Sequence, residues 1–325
     1  MTTAQILTRF SQRSAVVIGD ICLDRWCTYD PGTAEPSRET GIPRIGVVST
    51  ETSPGAGGTV ANNLTALGVG KVAVLGVIGQ DGFGMELKRS LEARGIAANL
   101  LVEASDLQTF TYTKLINAKT GVEDLPRVDF ITTRALDAGV ERRVLDQIQA
   151  RASQFDVIMV SDQAETDQGG VVTPAVRDLM AAMARKNPEK VIWVDSRRRS
   201  DLYRDVIVKP NNIEADDASQ RLFGRIDYYA LRNNVGRKPM IITHGGEGAY
   251  VVEDTGIKHV KARKVERPVD ICGAGDSFSA GAAMAMAVTG SAVEAARVGN
   301  LVASVTIMKR GTGTASPKEV LAAEK

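Results

Sequence analysis

Histidine is almost missing from this chain: His244 and His259 are the only two among 325 residues. Zinc hydrolysis and a Ser-His-Asp triad therefore have very little material to work with. Cysteine is equally scarce. Cys22, Cys27 and Cys272 stand at unrelated spacings that make neither a disulfide framework nor a zinc pattern. Neither sign of charge dominates, since 40 Lys+Arg against 39 Asp+Glu leave a formal charge of +1. That balance argues against a nucleic-acid partner, whose binders carry a basic surplus. Long apolar runs are lacking too. The uncharged stretch from Ser277 up to Glu294 is Ala/Met/Gly-rich, broken by Thr289 and Gly290, and too short for a membrane span. Met1–Ser14 mixes Arg9 and Arg13 with polar residues and shows no signal-peptide core, so the expectation is a soluble, cytoplasmic protein.

What the chain does have is 43% hydrophobic residues in a regular rhythm, enough to offset chain entropy by burial. Short β-branched runs (15–18, 72–78, 157–160, 191–194, 206–208 and 240–243) alternate with segments of helical period (59–67, 84–94, 138–152, 173–185, 213–222, 276–289 and 291–309). Nearly continuous apolar strands between helices indicate a parallel sheet covered on both faces. No Pro/Gly/Ser linker divides the chain, which reads as one domain over residues 1–325. Two regions break the rhythm. Residues 27–53 are punctuated by Pro and Gly, and residues 109–132 alternate polar with apolar, as in Phe110-Thr-Tyr-Thr-Lys-Leu-Ile116. Alternation marks strands with one wet face, so a small antiparallel flap standing off the main sheet is expected. Such a flap covers an active site or pairs its edges in a homodimer.

The segment Pro268-Val-Asp270-Ile-Cys-Gly273-Ala274-Gly275-Asp276 precedes a small-residue helix. Amides of Ala274, Gly275 and Asp276 would stand unpaired at a positive helix end, ready for a phosphate or a developing oxyanion. Asp276 at the rim could accept a proton from an attacking hydroxyl. An ordinary Gly turn with an Asp cap explains the same residues, and both readings stand at this point. The pattern is no Walker A loop, which needs Gly-Lys-Ser/Thr. After the first strand only Gly19, Asp20 and Asp24 follow, which demotes dinucleotide binding. Cys272 beside a helix N-terminus would gain thiolate character and be modifiable, though not essential.

Asp-x-x-Gly-Ala-Gly-Asp before such a helix resembles the C-terminal signature of the ribokinase/PfkB carbohydrate kinase family. Further matches follow in order along nearly the whole chain: Gly19-Asp-Ile-Cys-Leu-Asp24, Pro54-Gly-Ala-Gly-Gly-Thr-Val-Ala61, Gly79-Gln-Asp81-Gly-Phe-Gly84, Asn211-Asn-Ile-Glu214 and Thr243-His-Gly245-Gly-Glu-Gly248. The resemblance implies a ribokinase-like α/β fold, a three-layer α/β/α sandwich with a mostly parallel central sheet and a small β-sheet lid. It implies an ATP- and Mg2+-dependent kinase that phosphorylates a sugar or sugar phosphate. Gly19–Arg25, Ser161-Asp162, Val194-Asp195 and the tail Lys309–Glu319 are similar, more narrowly, to the kinase half of ADP-heptose synthases, whose acceptor is a heptose 7-phosphate. Those kinases carry Asn where this chain has Thr59. A kinase of another sugar or nucleoside, or a catalytically silent sugar-phosphate-binding regulator of the same fold, are the alternatives. The joint presence of Asp276, its flanking glycines, Asn211 and Glu214 speaks against the silent one.

By this resemblance Asp276 is the base, and amides of Gly273, Ala274 and Gly275 hold the charge on the transferring group. Asp24 would bind sugar hydroxyls, with Gly57, Gly58 and Thr59 letting the sugar approach the backbone. Counting from the glycine pair puts a further contact at Asn62, whereas counting from Val60-Ala61 puts it at Thr59. Thr243, Gly245 and Gly248 belong to the nucleotide side, with Asn300 bordering the adenine and Arg197 reaching phosphates. His244 is expected to pack or border the ribose. Asn211 and Glu214 share a helix face and would hold Mg2+ through water, or else form a capping box. Lys114 and Arg127 would recognise a phosphate on the acceptor if they face the site, and otherwise form a wet strand face.

Overall fold

The structure, a computed structural model, describes residues 1–166 and 168–324. Helix α1 (Thr3–Thr8) leads to β1 (Ser14–Gly19), β2 (Ile21–Tyr29), β3 (Val47–Ala56), α2 (Gly57–Ala66), β4 (Lys71–Leu75), β5 (Val77–Gly79) and α3 (Gly82–Glu92). Next come β6 (Val102–Ala104), β7 (Thr111–Asn117), β8 (Val128–Phe130), α4 (Ala138–Arg151), β9 (Val157–Asp162), α5 (Pro174–Lys186) and β10 (Val191–Ser196). The chain continues through β11 (Ile207–Val208), α6 (Asn212–Phe223), α7 (Tyr228–Val235), β12 (Met240–Thr243), β13 (Ala249–Glu253) and β14 (Gly256–Val260). It closes with α8 (Ala274–Thr289), α9 (Ala292–Thr306) and α10 (Pro317–Ala323).

Eight strands form the central sheet in the order β14-β13-β12-β11-β10-β9-β1-β4. Every pair is parallel except β12–β13 and β13–β14. The period-two side-chain alternation of a strand divides the core. Ala15 and Val17 of β1, Met159 of β9 and Trp193 of β10 face one apolar cluster with α2, α8 and α9. Their neighbours Val16, Ile18, Val160 and Val194 face a second cluster with α4, α5, α6 and α7. Strands buried on both faces have no polar position to show, which explains why their sequence is continuous rather than alternating. The expected three-layer α/β/α arrangement is therefore present, with a separate four-stranded sheet, β3-β2-β7-β8, as its lid.

Several boundaries differ from the sequence reading. The lid begins at Ile21, ahead of the expected residue 27, so Asp24 lies inside β2 and not beyond a strand end. The lid is not wholly antiparallel either, because β2 and β7 run parallel. Residues 72–78 make two strands. Gly76 sits where a Cβ would come within 2.5 Å of the Gly19 carbonyl, and β5 leaves the main sheet there to pair with β6. Strands β13 and β14 and helices α1, α7 and α10 had no counterpart in that reading. Among the described residues, no helix is long and apolar enough to cross a membrane.

Candidate active site

Helix α8 starts without a side-chain cap. Its N-cap is Gly273, whose φ of 75° and ψ of 9° place it in the left-handed region that glycine enters at least cost. Asp276 is the third helical residue and caps nothing, so the bland reading of this carboxylate as a helix cap does not hold. The Ala274 N–H is taken by the Ile271 carbonyl at 3.2 Å, so that amide is not free as expected. Gly273, Gly275 and Asp276 keep amides that no backbone or side-chain acceptor among the described residues meets. Asp270 shapes the turn from below. One carboxylate oxygen accepts from Cys272 N at 2.9 Å, and the other accepts from Gly311 N at 3.0 Å, tying the loop to the C-terminal segment.

Two cavities open at the C-terminal ends of the parallel strands, where ligand crevices of such sheets lie. One, of about 200 Å³, runs beneath the lid and contains Asp24, Thr59, Lys114 and Arg127. The other, of about 320 Å³, contains Asn211, Glu214, Thr243, Gly245, Gly248, Ala274, Gly275 and Asn300. Both are lined by Gln163, Arg197, Gly273 and Asp276, so the two spaces meet at the Asp276 carboxylate.

Some expected residues do not reach these spaces. Gly57 and Gly58 are buried in the packing of α2 on the strands. Side-chain atoms of Ile21 and Pro54 would lie 2.7 and 2.6 Å from added Cβ atoms there, so these glycines allow close helix packing. Asn62 lines neither cavity, whereas Thr59, one turn earlier, lines the one beneath the lid. His244 lines neither cavity, its Nδ1 lying 3.4 Å from the Glu247 carboxylate. Lys114, half-buried, and Arg127, exposed, both line the cavity beneath the lid, each with an acidic neighbour, Glu123 at 3.6 Å and Asp129 at 2.7 Å. Asn300 lines the second cavity, with its amide donating to the Val260 carbonyl at 3.0 Å. Sequence reasoning missed Lys209, Gln163, Glu165, Trp26, Tyr112 and Thr312 as lining residues. Gly55 was missed as well: a Cβ there would lie 2.3 Å from an Asp24 oxygen, so the carboxylate rests on bare backbone.

Burial dominates the electrostatics. The Asp276 carboxyl is pushed up to about 8 by desolvation and by the nearby Asp195 charge, against the pull of Lys209 and Arg197. Desolvation likewise raises Asp24 to about 6, opposed by its bond from Cys22 and by Lys114 and Arg127. Cys272 reverses an expectation. The residue is exposed, yet desolvation by the surrounding turn pushes the thiol up from its ordinary value, with Asp24, Asp270 and Asp276 adding to that and Lys114 opposing.

Asn211 and Glu214 form the capping box: Glu214 N donates to Asn211 Oδ1 at 2.9 Å, and Asn211 N donates to Glu214 Oε2 at 2.7 Å. The cap engages one Glu214 oxygen and leaves Oε1 outside it. No cluster of three or more metal-ligating side chains occurs among the described residues. One carboxylate beside this cavity suits an ion that keeps most of its water, as Mg2+ does.

The sequence model of the pfkB family carbohydrate kinases matches residues 12–319. Among curated relatives, the bifunctional protein HldE of Pelobacter propionicus is 31% identical over 325 residues, covering 97% of this chain and 64% of that protein. The HldE of Geotalea uraniireducens is 32% identical over 326 residues, again covering 64% of its length, so the chain spans less than two thirds of these relatives. Among solved structures, Escherichia coli phosphofructokinase-2 in complex with potassium superposes with a TM-score of 0.73 at 20% identity, covering 96% of this chain and 97% of that one. Arabidopsis thaliana ribokinase complexed with ribose and ATP gives 0.68 at 17% identity, covering 96% and 99%. At these identities the structural likeness establishes the fold.

Proposed function

The chain belongs to the pfkB family of carbohydrate kinases, and on that premise we propose that it transfers the γ-phosphoryl group of ATP to a hydroxyl of a sugar phosphate, a heptose 7-phosphate being the acceptor to test first. The observation that carries this reading is the meeting of two cavities at one carboxylate. A donor in one and an acceptor in the other would come into line at Asp276, the geometry in-line transfer requires. Asp276 would take the acceptor's proton, and the free amides of Gly273, Gly275 and Asp276 would face the transferring oxygens. Asp24 would hold acceptor hydroxyls. Lys114 and Arg127, cationic and on the same cavity, favour an acceptor that brings its own phosphate. Bound with the nucleotide, Mg2+ would neutralise phosphate charge, with Asn211 and Glu214 as its residues.

The test is ADP release across a panel of sugars and sugar phosphates that includes heptose 7-phosphate. Turnover that needs a phosphorylated acceptor, and that Asp276→Asn abolishes, supports the reading. Nucleotide and sugar phosphate binding without turnover on any acceptor would instead favour a regulator. A homodimer through the lid belongs to the same proposal, because Ile42, Val48 and Val122 are 67%, 60% and 56% exposed on this small sheet and its loops. Measured solution mass of the chain and of Val48→Glu checks it: a monomeric wild type refutes the dimer.

A further inference from the structure

We propose that Lys209, and not the more exposed Arg197, is the catalytic cation that contacts the migrating phosphoryl group; this rests on the kinase reading above. Lys209 is 3% exposed, and a buried ammonium is costly unless its surroundings compensate it. Its compensation is incomplete. An ammonium carries three donors, yet the one acceptor it meets among the described residues is Asp195 Oδ2, at 3.0 Å. That oxygen is shared, since Ser279 Oγ also donates to it at 3.0 Å. Further donor capacity is therefore left beside the nucleotide cavity that Lys209 lines together with Gly275, Glu214 and Asp276.

The location is specific. A Cβ built on Gly275 would lie 3.6 Å from Lys209 Nζ, so the ammonium sits against the same turn whose amides are free. The backbone there is held on both sides: Lys209 N donates to the Val194 carbonyl at 2.8 Å, and Pro210 leads directly into the Asn211–Glu214 cap. Arg197 offers a poorer alternative. It is exposed, and its guanidinium is already paired with Glu165. A preorganised charge in a desolvated site is worth more to a transition state than a mobile, screened one.

In the step itself, the acceptor oxygen–phosphorus bond forms while the bond from phosphorus to the ADP oxygen breaks. The acceptor's proton passes to Asp276, and Lys209 keeps its own protons while its donors follow the equatorial oxygens.

Lys209→Met alone would leave Asp195 buried without a counter-charge, so the informative variant is Lys209→Met with Asp195→Asn, which removes both charges and keeps an acceptor for Ser279. Two readouts are taken on that double variant and on Asp195→Asn alone: kcat for ADP release, and affinity for ADP with aluminium fluoride, a mimic of the phosphoryl group in flight. The expected result is a folded double variant whose kcat and mimic affinity both fall by about 100-fold or more relative to Asp195→Asn. A double variant that retains both values overturns the proposal and leaves Lys209 as a counter-ion for Asp195. Should the wild type turn over no acceptor, the kinase reading fails by itself, and the mimic affinity still decides the role of Lys209.

Discussion

The two walls of the site are built from different materials. On the proposed reading, the nucleotide wall is mainly strand ends and tight turns (Gly245 and Gly248, Thr243, the Asn211–Glu214 cap and the Gly273–Asp276 turn), with buried Lys209 among them and Arg197 shared with the other wall. The acceptor wall is a half-wet sheet carrying long charged side chains, several in ion pairs: Lys114 with Glu123, Arg127 with Asp129, Arg197 with Glu165. Backbone groups cannot be exchanged by point substitution, whereas side chains on an exposed strand face can. On the proposed reading, the contrast would separate the part of the reaction shared by many acceptors from the part that selects one.

The sharpest way to break this division is at the carboxylate where the walls meet. Asp276→Asn should lower kcat by about 100- to 10,000-fold, whatever the acceptor, in a steady-state ADP-release assay. The same variant should also be more heat-stable at pH 8 than the wild type. The folded carboxyl holds its proton up to about 8 while the unfolded one releases it near 3.8, so stability drains away as pH rises across that window. Melting curves at pH 4 and pH 8 check the sign: the gap between variant and wild type should open at the higher pH and nearly vanish at the lower. For the same reason kcat/KM of the free enzyme should climb as pH rises toward about 8. A flat profile from pH 6 to 9 would remove Asp276 as the base.

Next in size is the acceptor wall. Arg127→Met or Lys114→Met should raise KM for a phosphorylated acceptor by about 10-fold each, the loss of one charge-assisted contact, and leave KM for ATP alone. Equal effects on both substrates would erase the distinction between the walls. Smallest is Gly273→Ala. A Cβ there would meet Thr59 and Thr312 at 3.3 Å in a left-handed backbone, so a stability loss of about 1 kcal/mol by denaturant titration is expected, with a several-fold fall in kcat for every acceptor.

The same contrast explains what was readable beforehand. The doubly covered strands announce themselves as continuous apolar runs, and the glycine turn before α8 stands out because glycine residues there serve geometry. Side chains that matter through tertiary position were silent. Lys209 precedes a proline and reads as loop, yet it ends up 3% exposed beside Asp195, fourteen residues earlier in the chain. Strand β2 was hidden because Asp24, Arg25 and Trp26 interrupt its apolar run, the positions that line the cavity beneath the lid. At Gly57 and Gly58 the sequence could not separate two reasons for a glycine, since one needed against Ile21 or Pro54 looks no different from one needed against a ligand.

The parallel pairing of β2 with β7 sets Asp24 opposite Tyr112 and Trp26 opposite Lys114. These four positions are tiles on one pleated floor, set by strand pairing that their side chains do not make. A lineage could therefore move from one acceptor to another by changing tiles singly, while the machinery across the cleft stayed untouched.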